Sequence, residues 1–232
     1  YKMQVDSSAS SGSGSSSSGS STTDTGNGTV VTSFSELTAA VTKAEKAGGG
    51  IVYVKGSSIS CTAQLALKAS NANVSIIGVK NSDGTYPVLD FSAFRSAYIG
   101  KATTDSEVGI RISGSNYTIK NLIIQKAPDN GIQIKGSSAG NNTIENCIVR
   151  YNNDAGVQIT GGAYSNTMRF VYSYRNCDVY TLGGNADGFA PKLGAGKGNV
   201  FYGCYSWENS DDGWDSYDKD SLTYNLTYTN CA

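Results

Sequence analysis

A four-residue unit, Gly followed by an apolar, a polar and an apolar residue, recurs through the second half of the chain and restricts the fold more than any other feature. It reads Gly109-Ile110-Arg111-Ile112, Gly131-Ile132-Gln133-Ile134 and Gly156-Val157-Gln158-Ile159. Looser copies follow at Gly188-Phe189-Ala190-Pro191 and Gly213-Trp214-Asp215-Ser216. Successive Gly residues (109, 131, 156, 188, 213) are 22, 25, 32 and 25 residues apart. A second short alternating segment falls between copies, at residues 117–122, 143–148, 199–204 and 222–226.

Strands this short cannot each bury an apolar face. Stacking the units, coil upon coil, makes one continuous core. The period is too short for helical repeats, so the reading is all-β: a right-handed parallel β-helix. Side-chain alternation along a strand places Ile110, Ile112 and their equivalents inside the cylinder. Asn121 and Asn146 fall in one register at a bend, where their amides can pair along the axis.

A solenoid needs its apolar end covered. Ser33-Phe34-Ser35-Glu36 offers a capping box, and Leu37, Ala40, Val41 and Ala44 follow at helical spacing up to Gly48-Gly49-Gly50. A short N-terminal α-helix is therefore the expected lid, with Ile51-Val52-Tyr53-Val54 opening the first strand. Before it, residues 1–28 are rich in Ser and Gly and read as a disordered segment, either a tether of the kind that joins modules of secreted enzymes or an ordinary disordered tail. The β-helix is assigned to residues 29–232. It is expected to continue past Ala232, because no capping sequence closes the last coil.

Eighteen basic residues against nineteen acidic ones give a net charge of −1, which disfavours a nucleic-acid partner. No apolar run is long enough to span a membrane. The chain has no His, which removes His-dependent catalytic pairs and metal sites from this stretch. Its five Cys contain no CxxC. Cys147 and Cys204 fall in register two coils apart, too far to bond, and read as small buried apolar residues.

Aligning the coils on their Gly exposes a column of acids. The residue just before the Gly is Asn130, Ala155, Asp187 and Asp212 in turn, and one place earlier stand Asp129, Asp154, Ala186 and Asp211. Asp215 lies two places after its Gly. Adjacent coils are about 4.8 Å apart, so Asp187, Asp211, Asp212 and Asp215 crowd together and repel unless a cation neutralises them. An all-carboxylate set without His suits Ca²⁺ better than softer metals.

Asn185 to Ala190, Lys192-Leu193, Gly198 to Phe201 and Asn209 to Asp215 resemble the signature of polysaccharide lyase family 9, the pectate and exopolygalacturonate lyases. By that resemblance Asp187, Asp211, Asp212 and Asp215 match the family's Ca²⁺ ligands. The implied activity is a calcium-dependent pectate lyase, secreted, cleaving polygalacturonate or pectin by β-elimination to unsaturated oligogalacturonides. The full-length form is expected to be a monomer. The family's base is a lysine more than a coil beyond the last aspartate, so it is expected past residue 232 and the chain as written is expected to be inactive. Lys192, four residues after its Gly, is a substrate-binding candidate and a remote candidate for the base. Lys135, Arg150 and Arg175 are further candidates for lining a groove, against the commoner reading of solvated surface cations. Trp214 holds an inward position and reads as core, whereas Trp207 is free to stack on a sugar ring. Two rivals are a polygalacturonase-like pectin hydrolase, with aspartates as acid and base, and a non-catalytic carbohydrate-binding β-helix.

Overall fold

The computed structural model describes residues 26–218 and 224–232. The tether or tail read at residues 1–28 falls almost wholly outside them. Every paired strand is parallel, and each complete coil among the described residues places one strand in each of three sheets. The first sheet includes Gly50–Val54, Val74–Gly78, Tyr117–Lys120, Thr143–Glu145, Thr167–Arg169 and Val200–Tyr202. The second includes Ile123–Gln125, Ile148–Arg150, Tyr172–Tyr174 and Tyr205–Trp207. The third holds Leu65–Leu67, Ile110–Ile112, Ile132–Lys135, Val157–Thr160 and Phe189–Pro191.

The Gly-led repeats form that third sheet. Ile132 pairs with Ile110 on one side and Val157 on the other, and Ile134 with Ile112 and Ile159. All six side chains are buried, which stabilises the fold by roughly 1.5–3 kcal/mol for each. Trp214 continues the column: it bridges to Phe189 and stacks on its ring at 4.3 Å.

The second sheet was hidden inside the longer alternating segments. Asn121 and Asn146 adopt φ of +59° and +53° and turn the chain between two three- or four-residue strands, so one apparent strand is two. Their side chains pair as expected, Asn146 Nδ2 donating to Asn121 Oδ1 at 2.7 Å. Two deeper asparagine ladders were not foreseen. Asn142 Nδ2 donates to Asn166 Oδ1 at 2.9 Å, and Asn166 Nδ2 to Asn199 Oδ1 at 3.0 Å. At the bend between the second and third sheets, Asn152 Nδ2 donates to Asn176 Oδ1 at 3.0 Å and Asn176 Nδ2 to Asn209 Oδ1 at 2.8 Å. In both ladders the same oxygens also accept backbone N–H groups, satisfying donors that burial would leave stranded.

Helix α1, Phe34–Lys46, has the capping box and buries Leu37, Ala40, Val41 and Ala44, as the sequence spacing requires. The first strand is a correction. It is Thr29–Val31, which precedes the helix and pairs with Val52–Val54 of the strand expected to come first. A second correction concerns residues 222–226. Leu222 and Thr223 lie outside the described residues, and the place beside Val200–Tyr202 is taken by Thr227–Thr229. Cys147 and Cys204 are buried free thiols, pushed up to about 12 chiefly by burial.

Candidate metal centre

The bend between the second and third sheets carries the acids, and the asparagine ladder at its start fixes their heights. Backbone bonds confirm the register column by column: Gly131 N donates to Ala155 O, Gly156 N to Asp187 O, and Gly188 N to Asp212 O. Asp211 N donates to Ala186 O at 3.4 Å. The Gly that follows Asp187 is required by close approach, because a Cβ at Gly188 would sit 1.8 Å from Ser206 Oγ and 2.8 Å from Gly213 O, whereas a Cβ at Gly213 would meet only Ser206, at 3.5 Å.

Oxygens of Asp187, Asp211 and Asp212 lie within 4.8 Å of one another. Asp187 is fully buried while Asp211 and Asp212 are exposed, so the trio opens outward from a buried floor. Asp211 accepts the Asn185 N–H at 2.8 Å, and Asp187 Oδ1 accepts the Asp212 N–H at 3.3 Å. These bonds hold the carboxylates side by side. The trio fits a hard cation: every donor is a carboxylate oxygen, one side is open, and the repulsion within it is what a divalent ion relieves.

The fourth predicted aspartate is placed differently. Asp215 Oδ2 meets Lys192 Nζ at 2.6 Å, and Lys192 also meets Asp187 Oδ2 at 2.8 Å. Asp215 Oδ1 accepts the Tyr217 N–H at 2.8 Å. Lys192 is 9% exposed, so it is a buried bridge between two carboxylates rather than a solvated lysine. Burial works against its charge, but hydrogen bonds to Asp187 and Asp215 outweigh it and hold the ammonium above its usual range. Burial pushes the Asp187 carboxyl up, opposed by its bond to Lys192. A group bound this way holds its proton and does not collect another, which argues against Lys192 as base.

The remaining predicted cations also have partners. Lys135 Nζ meets Asp105 Oδ2 at 2.7 Å, and Arg175 Nε meets Glu208 Oε2 at 2.5 Å at an exposed site. Arg150 donates to Gln125 Oε1 at 2.9 Å and to the Tyr174 hydroxyl at 3.0 Å, on the second sheet. Trp207 is outward-facing there and stacked on Tyr174 at 4.3 Å. Spacing alone could have placed Lys192 and Asp215 on one face, but not shown that they touch.

Two acids of the same bend lie one and two coils before the trio. Burial raises the Asp129 carboxyl, and burial with the Asp129 charge pushes Asp154 up to about 7. Asp105, in the segment above them, is held at about 2: burial opposes its charge, but Lys135 and Arg111 outweigh it.

The family described as "Pel9A-like, right handed beta helix region" matches residues 18–232. "Pectate lyase L" of Paenibacillus polymyxa (strain SC2) is 34% identical over 191 residues, which are 79% of this chain and 40% of that one. "Pectate lyase L" of Dickeya chrysanthemi is 31% identical over 141 residues, 61% of this chain and 27% of that one. The chain thus spans less than half the length of these relatives. Among solved structures, "Crystal structure of pectate lyase Pel9A" superposes with a TM-score of 0.65 at 28% identity, covering 85% of this chain and 47% of that one. A "Rhamnogalacturonan lyase" superposes at 0.60 with 22% identity, covering 79% and 48%, which supports the fold alone.

Proposed function

Since the chain belongs to the Pel9A-like right-handed β-helix family, we propose that it contributes the metal-binding half of a secreted, calcium-dependent pectate lyase acting on polygalacturonate by β-elimination. The observation that carries this reading is the carboxylate trio Asp187, Asp211 and Asp212 within 4.8 Å. Relatives named as pectate lyases support the substrate class.

Asp187, Asp211 and Asp212 would hold the Ca²⁺, with Asp215 held at the edge of the set by Lys192. When bound, the ion supplies positive charge for a uronate carboxylate and for the charge that develops as the C5 proton leaves. The chain's own residues do the positioning. Lys192 fixes the Asp187 and Asp215 carboxylates on the buried side, the Asn185 N–H orients Asp211, and the ladder Asn152-Asn176-Asn209 sets the height of each coil. Because Lys192 stays protonated between two acids, removal of the C5 proton falls to another lysine, as the family resemblance implies.

The test is to incubate polygalacturonate with the full-length form, which carries the expected base, and follow the ultraviolet absorbance of the C4–C5 double bond, with chelator and after Ca²⁺ is restored. Absorbance that vanishes with chelator and returns with Ca²⁺ is the expected result. Reducing ends without that absorbance would instead indicate a hydrolase, and binding without either product a carbohydrate-binding β-helix.

A further inference from the structure

The same bend carries a second group of oxygens, separated from the first by one alanine. Along the column Asp129, Asp154, Ala186, Asp211, Ala186 interrupts the acids; along the neighbouring column Asn130, Ala155, Asp187, Asp212, Ala155 does so. Each side of the gap is left with three oxygen-bearing side chains on two adjacent coils. On one side these are Asp187, Asp211 and Asp212. On the other they are Asp129, Asn130 and Asp154.

Asp129, Asn130 and Asp154 line a cavity of about 240 Å³. It lies between the outer face of the third sheet and the segment carrying Thr103, Thr104 and Asp105, which Asp105 pins down through Arg111 at 3.0 Å and Lys135 at 2.7 Å. Those pairs use up the cations of this face, and Lys192 is held by Asp187 and Asp215. Among the described residues, Asp129 and Asp154 therefore make no ion pair. Asp129 Oδ1 accepts the Asn130 backbone N–H and side-chain Nδ2, both at 2.6 Å, which fixes the Asn130 amide with its oxygen turned away from Asp129. Asn130 is 2% exposed, and its Oδ1 has no hydrogen-bond partner, alone among the buried side-chain nitrogens and oxygens of the described residues.

An orphaned buried acceptor is costly, by roughly 1–3 kcal/mol, and two carboxylates a coil apart add repulsion. One ligand resolves both. We infer that Asp129, Asp154 and the Asn130 side-chain oxygen form a second site for a hard divalent cation, Ca²⁺ by its tolerance of irregular all-oxygen sets, under the Asp105 segment. Water completes the shell, for which the cavity has room. A sugar acid is a poor occupant, because Asp105, Asp129 and Asp154 together outnumber Arg111 and Lys135. The ion ties two coils to the segment above them and is independent of the Asp187 site.

Calorimetric titration of the metal-free protein with CaCl₂ tests this, using wild type, Asp154→Asn and Asp187→Asn. Two ions per chain are expected for wild type and one for each variant, with the double variant binding none. If wild type binds a single ion that Asp154→Asn retains and Asp187→Asn loses, the second site is refuted and the first stands. If the single ion is lost only in Asp154→Asn, the first site fails and this one stands. Crystals of the wild type soaked in Tb³⁺ provide a check free of any folding defect. An anomalous peak among Asp129, Asp154 and Asn130 Oδ1 supports the site, and a peak confined to the Asp187 trio overturns it.

Discussion

The two halves of the acidic bend rest on one ladder and one backbone register, yet they manage charge in different ways. Around Asp187 a lysine is built in: Lys192 bridges Asp187 and Asp215, and the exposed pair Asp211 and Asp212 faces solvent. Around Asp129 and Asp154 no cation is built in, and a pinned segment covers the acids instead. The scaffold fixes where carboxylates stand. A lysine just after the next strand, or a segment lying above it, decides whether they form an open site or a closed one.

The largest expected effect strikes both halves at once. Asn176→Ala strips partners from the Asn152 backbone N–H and from the amides of Asn152 and Asn209, so unfolding in urea should show a loss of about 4 kcal/mol. A loss below about 1 kcal/mol would mean the ladder is not what holds the bend. Lys192→Met makes the Asp187 half resemble the Asp129 half, leaving a buried carboxylate beside another without a cation. Metal-free protein should lose about 3 kcal/mol, and thermal melts should recover part of it when Ca²⁺ is added. Melts unchanged by Ca²⁺ in this variant would separate the lysine from the metal site.

Asp187→Asn sharpens the contrast, because it touches one half only. It should weaken Ca²⁺ at the trio at least ~100-fold by calorimetry, equivalent to about 2.8 kcal/mol, while circular dichroism stays that of the wild type. The smallest effect belongs to the cover of the Asp129 half. Asp105 is held near 2 in the folded chain against an ordinary value of 3.8, so its pairing stabilises above pH 3.8 and is lost as pH falls through 2. With 43% of its side chain exposed, Asp105→Asn should cost only about 0.5 kcal/mol at pH 7. The difference in melting temperature from wild type should shrink below pH 3.8 and close below pH 2; a gap that persists below pH 2 would show that the pairs are not its source.

Much of this was legible in the chain because it depends on spacing. Inward Ile residues follow from alternation, the capping box from its four letters, and the acidic columns from alignment on Gly. The second sheet was not legible. Its strands are three residues long and join their neighbours through a single left-handed residue such as Asn121, so two strands read as one. The Lys192–Asp215 contact escaped for another reason. Twenty-three residues separate the pair, and shared register gives a height along the axis but not where a long side chain ends. The segment around Asp105 carries no periodicity, and nothing in its letters shows that it folds back over the third sheet.

The coil between Gly156 and Gly188, the longest between successive Gly-led repeats, leaves the bend between Cys177 and Asn185 and returns in register. Cys177 N donates to Asn152 O at 2.9 Å before the excursion, and Gly156 N to Asp187 O at 2.8 Å after it, while Leu182 at its tip is 96% exposed. Length there is decoupled from the stack. Such a corner can be grafted, trimmed or diversified beside the aspartates without disturbing their spacing, which makes it the natural place for a solenoid of this kind to acquire a taste for a differently decorated polymer.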